Sequence, residues 1–439
     1  MKFYDRKKEL EILEQLRLQT SHGSKMTVLT GRRRIGKTRL ALHFAQKHKY
    51  LYFFVSKKSE LLLCEEFLEI VKSQFNVPVI GEIKKFSQVF ELILQLSKKE
   101  QFTLIIDEFQ EFYHINPSVY SELQCLWDLN KDDTHLNFIC AGSVFSLMHN
   151  IFQNSKEPLF GRADRIMKLD AFSAATLSQI LNEQSLSAPV DLLNWYAFTG
   201  GMPKYVEFLS ANCDGSFDGI IKYMIDEYSP FLLEGKHLLI EEFGKEYGVY
   251  FSILELISRG KTSRSEIQAS LERNVGGLLS RLENDYAVIS RIQPITAKPK
   301  SRLVKYRIKD LFLRFWFRFI HHNRSAVETK NFTYIRKIVV RDFQTWCGLV
   351  LEDLFRDLFI ATGHYNRVAS YWERKNMNEI DLVAVNDLEK RIVIGEIKMN
   401  KDRININTLS KKSGKLLSSF PDYESSFVAL SIEDIGEYL

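Results

Sequence analysis

A run of eight residues near the start of the chain has the spacing of a phosphate-binding loop, G-x-x-x-x-G-K-[ST]. The run consists of Gly31, Arg32, Arg33, Arg34, Ile35, Gly36, Lys37 and Thr38. Glycines let successive backbone N–H groups turn towards an anion, and the start of the following helix adds a partial positive charge. Lys37 can reach the β- and γ-phosphates, and the hydroxyl of Thr38 can hold Mg²⁺. We therefore expect ATP and Mg²⁺ to bind at this run, with Arg39, the next residue, included.

Two adjacent carboxylates, Asp107 and Glu108, follow the apolar run 103–106. Parallel α/β sheets bind their ligands at the carboxyl ends of buried strands, so both carboxylates are expected beside the phosphate loop. Asp107 is the candidate second ligand of Mg²⁺. Glu108 is placed to orient or deprotonate the water that attacks the γ-phosphate, which predicts hydrolysis of ATP rather than binding alone.

Two further polar residues are candidates for contacts with the γ-phosphate. Ser143 follows the apolar run 137–142 and would lie beside Glu108, although a serine here is also typical of an ordinary turn. Arg162 precedes the next apolar run and could stabilise the transferred phosphoryl group, in its own chain or across a subunit interface. The alternative for Arg162 is an ordinary surface arginine.

A second group of residues, near the end of the chain, could cleave phosphodiesters. Glu396 and Lys398 alternate on a predicted strand and therefore share one of its faces. Asp381 lies on the neighbouring strand and can meet Glu396 across a hairpin, where the two carboxylates would share a hard cation such as Mg²⁺. Lys398 would lie beside that metal and activate water or stabilise the developing charge. Glu352, on the preceding helix, could add a carboxylate.

The elements that must position the first group alternate between strand and helix. Residues that are apolar in succession are typical of strands buried on both faces of a parallel sheet. The expected strands are 26–30, 50–55, 103–107, 137–142 and 165–169. The pattern therefore predicts an α/β nucleotide-binding domain over residues 1–170.

Beyond this domain the apolar periodicity becomes helical. It is interrupted at Gly200-Gly201-Met202-Pro203, where glycines relax the backbone and proline prevents continuation of the helix. We expect a small helical lid over residues 171–235. An aromatic-rich stretch from Leu311 opens a last domain, 311–439, which contains the second group of candidate residues.

Three short helices and a predicted hairpin indicate a winged helix over residues 236–310. The segment from Lys298 to Arg307 is strongly basic. It covers part of the loop between the two predicted hairpin strands and most of the second strand. It could follow a nucleic-acid backbone, since each basic residue that neutralises a phosphate adds salt-sensitive affinity. Alternatively, the module is a regulatory hinge and its charges are merely solvated.

Composition excludes several classes of protein. The 439 residues are 45% hydrophobic and 26% charged, which fits a multidomain globular chain rather than a disordered or fibrous one. Sixty Lys and Arg against 55 Asp and Glu leave a net charge of +5, which permits contact with nucleic acid without requiring it. No apolar run is long enough to span a bilayer, and the scattered five cysteines suggest neither disulfides nor a zinc site. We expect a cytoplasmic protein.

The motifs of the first 310 residues resemble those of the archaeal-type, AAA-like P-loop ATPases related to STAND NTPases. The segments that carry this resemblance are Gly31 to Thr38, Asp107 to Gln110, Ala141 to Ser143, Pro158 to Arg162 and Gly200 to Tyr205. The resemblance implies an ASCE-type α/β core with a sheet of order 5-1-4-3-2, followed by a helical lid and a winged helix. It also implies that the turn with Pro203 lies near the adenine.

The pattern Asp381, Glu396 and Lys398 resembles the PD-(D/E)xK restriction-endonuclease-like fold. Together with Lys309 to Trp316 it looks like the domain, of the DUF234 type, that is commonly appended to this ATPase family. The sequence departs from the nuclease pattern because no proline precedes Asp381. A structural or catalytically silent module therefore remains an alternative.

These observations lead to one hypothesis and one rival. The hypothesis is a Mg²⁺-dependent ATPase whose cycle drives a C-terminal nuclease-like domain that acts on nucleic acid, DNA ahead of RNA. The rival is a nucleotide-controlled switch whose C-terminal domain binds a partner or nucleic acid without cutting. A homo-oligomer fits both, and neither involves a membrane. The sequence leaves open the activating signal, the sequence specificity and the number of subunits.

Overall fold

The computed structural model describes residues 2–77, 82–298, 300–374 and 377–439. Pro299, part of the basic segment considered above, lies outside the described residues. By its internal contacts the chain divides into two compact units, residues 5–171 and residues 172–439, and residues 2–4 belong to the second. The separate lid, winged-helix and C-terminal domains within 172–439 remain predictions.

The unit 5–171 is built on one parallel sheet. Its strands are β1 (Lys25–Thr30), β2 (Tyr50–Phe54), β3 (Phe102–Asp107), β4 (Leu136–Ala141) and β5 (Arg165–Lys168). Their order is β2-β3-β4-β1-β5, and every pair is parallel. This confirms the α/β fold class and the strand order that the family resemblance implies. Every residue of β3 and β4 is buried, as expected for strands covered on both faces.

Helices cover both faces of this sheet. They are α1 (Lys7–Gln19), α2 (Lys37–Ala45), α3 (Glu60–Phe75), α4 (Phe86–Ser97), α5 (Phe112–Ile115), α6 (Ser118–Asn130) and α7 (Phe145–Gln153). The sequence of α4 shows why such a segment becomes a helix on the sheet. Its apolar residues at helical spacing, Phe86, Val89, Phe90, Ile93 and Leu94, are all buried in the core.

The unit 172–439 begins with helices and a hairpin. The helices are α8 (Ala174–Glu183), α9 (Pro189–Thr199), α10 (Pro203–Asn212), α11 (Phe217–Met224), α12 (Phe231–Phe243), α13 (Tyr247–Ser258), α14 (Arg264–Leu271) and α15 (Gly276–Ser280). The antiparallel strands β6 (Ile289–Ile292) and β7 (Lys305–Ile308) follow. A capping box at Ser263 and Glu266 fixes the start of α14. Three helices and a hairpin therefore occur in the order that the sequence predicts.

A four-stranded sheet and one long helix form the last part of this unit. The elements are α16 (Leu311–Phe315), α17 (Arg324–Glu328), α18 (Phe332–Ala361), β8 (Arg367–Tyr371), β9 (Ile380–Asn386), β10 (Arg391–Ile397), α19 (Ile406–Lys412), α20 (Gly414–Leu417) and β11 (Glu424–Leu430). The sheet order is β11-β10-β9-β8, and only β10 and β11 are parallel. Helix α18 begins at Phe332, because the side chain of Asn331 accepts the N–H of Tyr334 and caps the helix there.

None of the described helices is both long enough and apolar enough to cross a bilayer. The longest, α18, has 30 residues, but charged residues are spread along its length. Its buried side includes Phe343, Val350 and Phe355, so its apolar face is used in packing.

Candidate functional site

The phosphate loop lies between β1 and α2, as the sequence predicts. Gly31 and Gly36 both have positive φ values, 138° and 92°, in the backbone region that favours glycine. A Cβ at Gly31 would lie 2.7 Å from the carbonyl oxygen of Leu169, so no side chain fits there. Lys37 is buried, and its ammonium donates to the carbonyl oxygens of Gly31 at 2.9 Å and Arg32 at 3.0 Å. The lysine therefore lies within the loop whose phosphate it is expected to bind.

Thr38 and Asp107 come together at the carboxyl end of the sheet. The Thr38 hydroxyl donates to Asp107 Oδ2 at 2.5 Å, and the Tyr52 hydroxyl donates to the same oxygen at 3.1 Å. Burial, with the nearby charge of Glu108, raises the pKa of Asp107. Burial, with the charge of Asp107, raises the pKa of Tyr52, which keeps its proton available for donation.

This pair of oxygens fits Mg²⁺. A hydroxyl and a carboxylate beside the phosphate loop are hard oxygen donors of the kind that Mg²⁺ prefers. Thr38 and Asp107 would hold the cation, and Mg²⁺ when bound neutralises charge on the β- and γ-phosphates. Tyr52, on the neighbouring strand β2, would hold Asp107 in position. Tyr52 was not among the residues predicted from the sequence, because it belongs neither to the phosphate loop nor to the carboxylate motif at the end of β3.

Glu108 has a left-handed backbone and two side-chain partners. Its φ is 54°, and its N–H donates to Asp107 Oδ1 at 3.0 Å. The Ser143 hydroxyl donates to Glu108 Oε2 at 2.7 Å, and the amide of Gln110 donates to the same oxygen. The structure thus brings Ser143 beside Glu108, where the sequence places it. Contacts of Glu108 and Ser143 with the attacking water and the γ-phosphate remain predictions.

Arg162 lies at the opposite end of the same sheet. Asp164, two residues on, exchanges hydrogen bonds of 2.8 Å with the backbone of Met26, at the start of β1. The phosphate loop follows the other end of this six-residue strand, roughly 20 Å away at about 3.3 Å per residue. Arg162 instead forms a forked ion pair with Asp128, 2.8 Å from Nη2 to Oδ2. This distance is too long for Arg162 to contact a phosphate bound in its own chain, so that prediction is wrong. A role of Arg162 across a subunit interface remains a prediction.

Pro203 lies in the other unit, as the first residue of α10. Gly201 before it has a φ of 69°, and a Cβ there would lie 2.3 Å from the carbonyl oxygen of Phe172. Tyr205 after it donates to the buried Glu234 at 2.8 Å. The turn is thus fixed by its own packing, and its contact with adenine stays a prediction.

The carboxylates of the C-terminal sheet meet around a lysine. Strands β9 and β10 are antiparallel, and Asp381 Oδ2 accepts the N–H of Ile397 at 2.9 Å. The ammonium of Lys398 lies 3.0 Å from Asp381 Oδ2 and 3.3 Å from Glu396 Oε1. A second lysine, Lys412 of α19, lies 3.5 Å from the same Glu396 oxygen. Burial disfavours the charge on Lys398, but the two carboxylates outweigh it and raise its pKa.

The other oxygen of Glu396 suggests a place for a cation. Glu396 Oε2 is buried and has no hydrogen-bond partner among the described residues. A buried carboxylate oxygen without a donor is unfavourable unless a cation or a donor reaches it. Asp381 and Glu396 would hold such a Mg²⁺ ion, which fits their oxygen chemistry. Within the described part of the chain, however, no three His, Cys, Asp or Glu side chains form a metal-ligand cluster.

Glu352 and its neighbour Asp353 on α18 have opposite electrostatic environments. Burial and the charge of Asp381 raise the pKa of Glu352 to about 7. Burial would also raise the pKa of Asp353, but three guanidinium groups lower it far below its usual range. These groups belong to Arg307 of β7, Arg314 of α16 and Arg356 of α18. We call these four residues the Asp353 cluster.

The Asp353 cluster connects the hairpin to the C-terminal sheet. Arg356 donates to the main-chain carbonyl of Asp381 at 3.1 Å, which links the cluster to the candidate site. Lys305 of the hairpin pairs with Glu379 at 3.1 Å, and the N–H of Ile295 donates to the carbonyl of Ser370 at 3.1 Å. Two residues of the basic segment are therefore engaged by the C-terminal module rather than free for phosphate contacts.

Comparisons with known proteins agree with this architecture. Residues 3–209 match the model of an ATPase domain found predominantly in Archaea, and residues 316–415 match DUF234, described as Archaea bacterial proteins of unknown function. An uncharacterized protein of Methanocaldococcus jannaschii, MJECL04, is 30% identical over 412 residues, which cover 91% of this chain and 89% of that protein. The chain belongs to the family of archaeal-type ATPases that combine these two domains.

A solved structure shows the same fold. The Walker-type ATPase PABY2304 of Pyrococcus abyssi is 19% identical, with a TM-score of 0.54 over 72% of this chain and 96% of that one. ORC2 of Aeropyrum pernix, solved as ADPNP-ADP complexes, is 14% identical, with a TM-score of 0.49 over 75% and 95%. At this identity the likeness to the first defines the fold alone.

Proposed function

We propose that the chain hydrolyses ATP at the phosphate loop and uses the cycle to control a Mg²⁺-dependent phosphodiesterase site in its C-terminal domain. The ATPase half rests on Lys37, Thr38, Asp107 and Glu108, which supply the phosphate contacts, the metal ligands and the base that phosphoryl transfer to water requires. Membership of the archaeal-type ATPase family supports this half. A second copy of the chain would supply Arg162 to the γ-phosphate.

The phosphodiesterase half rests on one observation. Glu396 Oε2 is buried without a donor beside Asp381 and Lys398. Two carboxylates would hold the cation that neutralises a scissile phosphate, and the lysine would stabilise the charge that develops on it. Nucleic acid, DNA ahead of RNA, is the substrate that we propose for this site.

The ATPase half is tested by nucleotide binding and turnover. Lys37→Ala is expected to lose ATP binding, and Glu108→Gln is expected to bind ATP without hydrolysing it. Lys47→Ala is the matched control, since Lys47 is an exposed lysine just beyond the same helix. Unchanged hydrolysis in both site variants would disprove this half.

The phosphodiesterase half is tested by incubating the protein with plasmid, linear DNA and RNA, with Mg²⁺ or Mn²⁺, and with or without ATP. Wild type and Glu389→Ala should cut, and Asp381→Ala should not, while all three keep ATP hydrolysis. Glu389 is a suitable control because it is an exposed carboxylate at the turn of the same hairpin.

A second function is favoured by the contacts of the basic hairpin. Lys305 and Arg307 are paired with Glu379 and Asp353, which is typical of a docked regulatory module rather than a free phosphate-binding wing. On this alternative the chain is a nucleotide-controlled switch that binds without cutting. Absence of cleavage with intact ATPase activity, together with a change of oligomeric size between ATP and ADP, would select it.

A further inference from the structure

Gln110 is a buried polar residue beside the candidate catalytic base. It follows β3 and is completely buried, with an exposed fraction of 0%. Its side-chain amide donates to Glu108 Oε2, the oxygen that also accepts the Ser143 hydroxyl at 2.7 Å. Two donors therefore fix one carboxylate oxygen. Gln110 is not a ligand of phosphate or metal in the function proposed above.

The orientation of this amide is determined by Glu108. Gln110 Oε1 is buried and has no hydrogen-bond partner in the described part of the chain. A flipped amide would place its oxygen against the carboxylate and leave its NH₂ group without an acceptor, so only the present orientation is favourable. The unpaired carbonyl lowers stability, and the charge-assisted hydrogen bond to Glu108 offsets it.

The surroundings hold Gln110 in place from two sides. A Cβ at Gly142 would lie 2.4 Å from Gln110 Oε1 and 2.3 Å from Met148 Sδ, so the absence of a side chain at 142 makes room for the amide. The buried hydroxyl of Tyr120 lies 3.3 Å from the main-chain carbonyl oxygen of Phe109 and 3.4 Å from that of Gln110, and it donates its single proton to this pair. The main chain at Gln110 and the space around its side-chain amide are thus both defined by neighbouring residues.

Glu108 requires such a fixed donor because its backbone is strained. A non-glycine residue at a φ of 54° lies in the left-handed region, which is unfavourable and is found where other contacts fix the conformation. Ser143 is the first candidate to leave Glu108, since its single hydroxyl proton cannot serve the carboxylate and a γ-phosphate oxygen at once. Gln110 would then remain as the donor to Glu108.

We propose that Gln110 is a positioning residue, which holds Glu108 where it can activate the water that attacks the γ-phosphate. This inference rests on the ATPase half of the proposed function and deepens it. Gln110 contacts neither nucleotide nor metal in this role, so it acts on the chemical step and not on binding. Misplacing a catalytic base by about 1 Å can lower a rate about a hundredfold.

The variant Gln110→Met tests this proposal, because methionine keeps the length of the side chain and removes the donor. We expect kcat for ATP to fall about 10- to 100-fold, while KM and the Kd for a fluorescent ATP analogue stay within twofold. Gln46→Met is the matched control at an exposed glutamine and should match wild type. An unchanged or raised kcat, or an equal loss of nucleotide binding, would overturn the proposal.

A second measurement does not depend on ATP turnover. Thermal midpoints of Gln110→Met, Glu108→Ala and the double variant form a cycle that measures coupling between the two side chains. We expect the double variant to shift the midpoint by less than the sum of the single shifts. If the shifts of the two single variants add up to the shift of the double variant, the two side chains are not coupled and the proposal is wrong. A wild type without ATPase activity but with coupling would refute the proposed function, whereas normal turnover in Gln110→Met would refute the role of Gln110 alone.

Discussion

Replacing Glu352 by glutamine should change how the stability of the unit 172–439 depends on pH. The pKa of Glu352 rises from its ordinary value of 4.5 to about 7, because burial and the charge of Asp381 disfavour ionisation. Between these two pH values the folded state holds a proton that the unfolded state has released. Stability therefore falls as pH rises from about 4.5 to about 7. At 1.36 kcal/mol for a pKa difference of one, the full effect is about 3 kcal/mol.

The Glu352→Gln variant carries no titratable group at this place, so it should be more stable than wild type at pH 8. The two proteins should converge towards pH 4.5. A pH-independent effect of the amide adds a constant to the difference in unfolding free energy between variant and wild type, so the change of this difference with pH is the quantity that tests the reasoning.

Denaturant unfolding at several pH values, followed by tryptophan fluorescence, measures this difference. The emission reports mainly the unit 172–439, which contains Trp195, Trp316, Trp346 and Trp372. Glu389→Gln, at an exposed glutamate in the turn between β9 and β10, is the control for the substitution itself. A difference between Glu352→Gln and wild type that stays constant from pH 4.5 to 8 would refute the reasoning.

Three further predictions concern the described contacts. Asp353→Asn should destabilise the chain by about 3–5 kcal/mol, as measured by urea unfolding, since it leaves three guanidinium groups without a buried counter-charge. The control Asp422→Asn, at an exposed aspartate just before β11, should leave the free energy of unfolding nearly unchanged. Gly142→Ala should lower the free energy of unfolding by about 1–3 kcal/mol through overpacking against Met148 and Gln110, as measured by urea unfolding. A stability equal to that of wild type would contradict this close approach. Tyr52→Phe should raise the Mg²⁺ concentration for half-maximal ATP hydrolysis about fivefold, because a hydrogen bond to Asp107 of about 1 kcal/mol is lost. ATP binding measured in the absence of metal should not change.

The sequence predicts the strands of the ATPase sheet well because their apolar runs are continuous and end in recognisable residues. The expected run 103–107 corresponds to β3, Phe102–Asp107, and 165–169 corresponds to β5, Arg165–Lys168. The carboxyl-end rule and the strand order that the family resemblance implies then place Asp107 and Ser143 near the phosphate loop. The strands follow from local pattern and the carboxyl-end placement from the general topology of parallel sheets, whereas the strand order came from the resemblance alone.

Contacts that depend on register or helix packing were not predictable. Tyr52 reaches Asp107 only because β2 and β3 pair in a particular register, which no local pattern specifies. Lys412 reaches Glu396 because α19 packs on the C-terminal sheet. The role of Arg162 on the phosphate of its own chain was wrong because a residue that precedes a parallel strand lies at the amino end of the sheet, opposite the phosphate loop.

The Asp353 cluster makes the predicted boundary at residue 310 a poor place to divide the chain. A fragment that begins at Leu311 would retain Arg314 and Arg356 but lose Arg307, and with it one of the three positive charges that keep Asp353 ionised. It would also lose Ile295, which packs against the core of the C-terminal sheet. Exchange of C-terminal domains between relatives should therefore succeed when the hairpin travels with the sheet. A transferable C-terminal module would therefore begin before β6 rather than after β7.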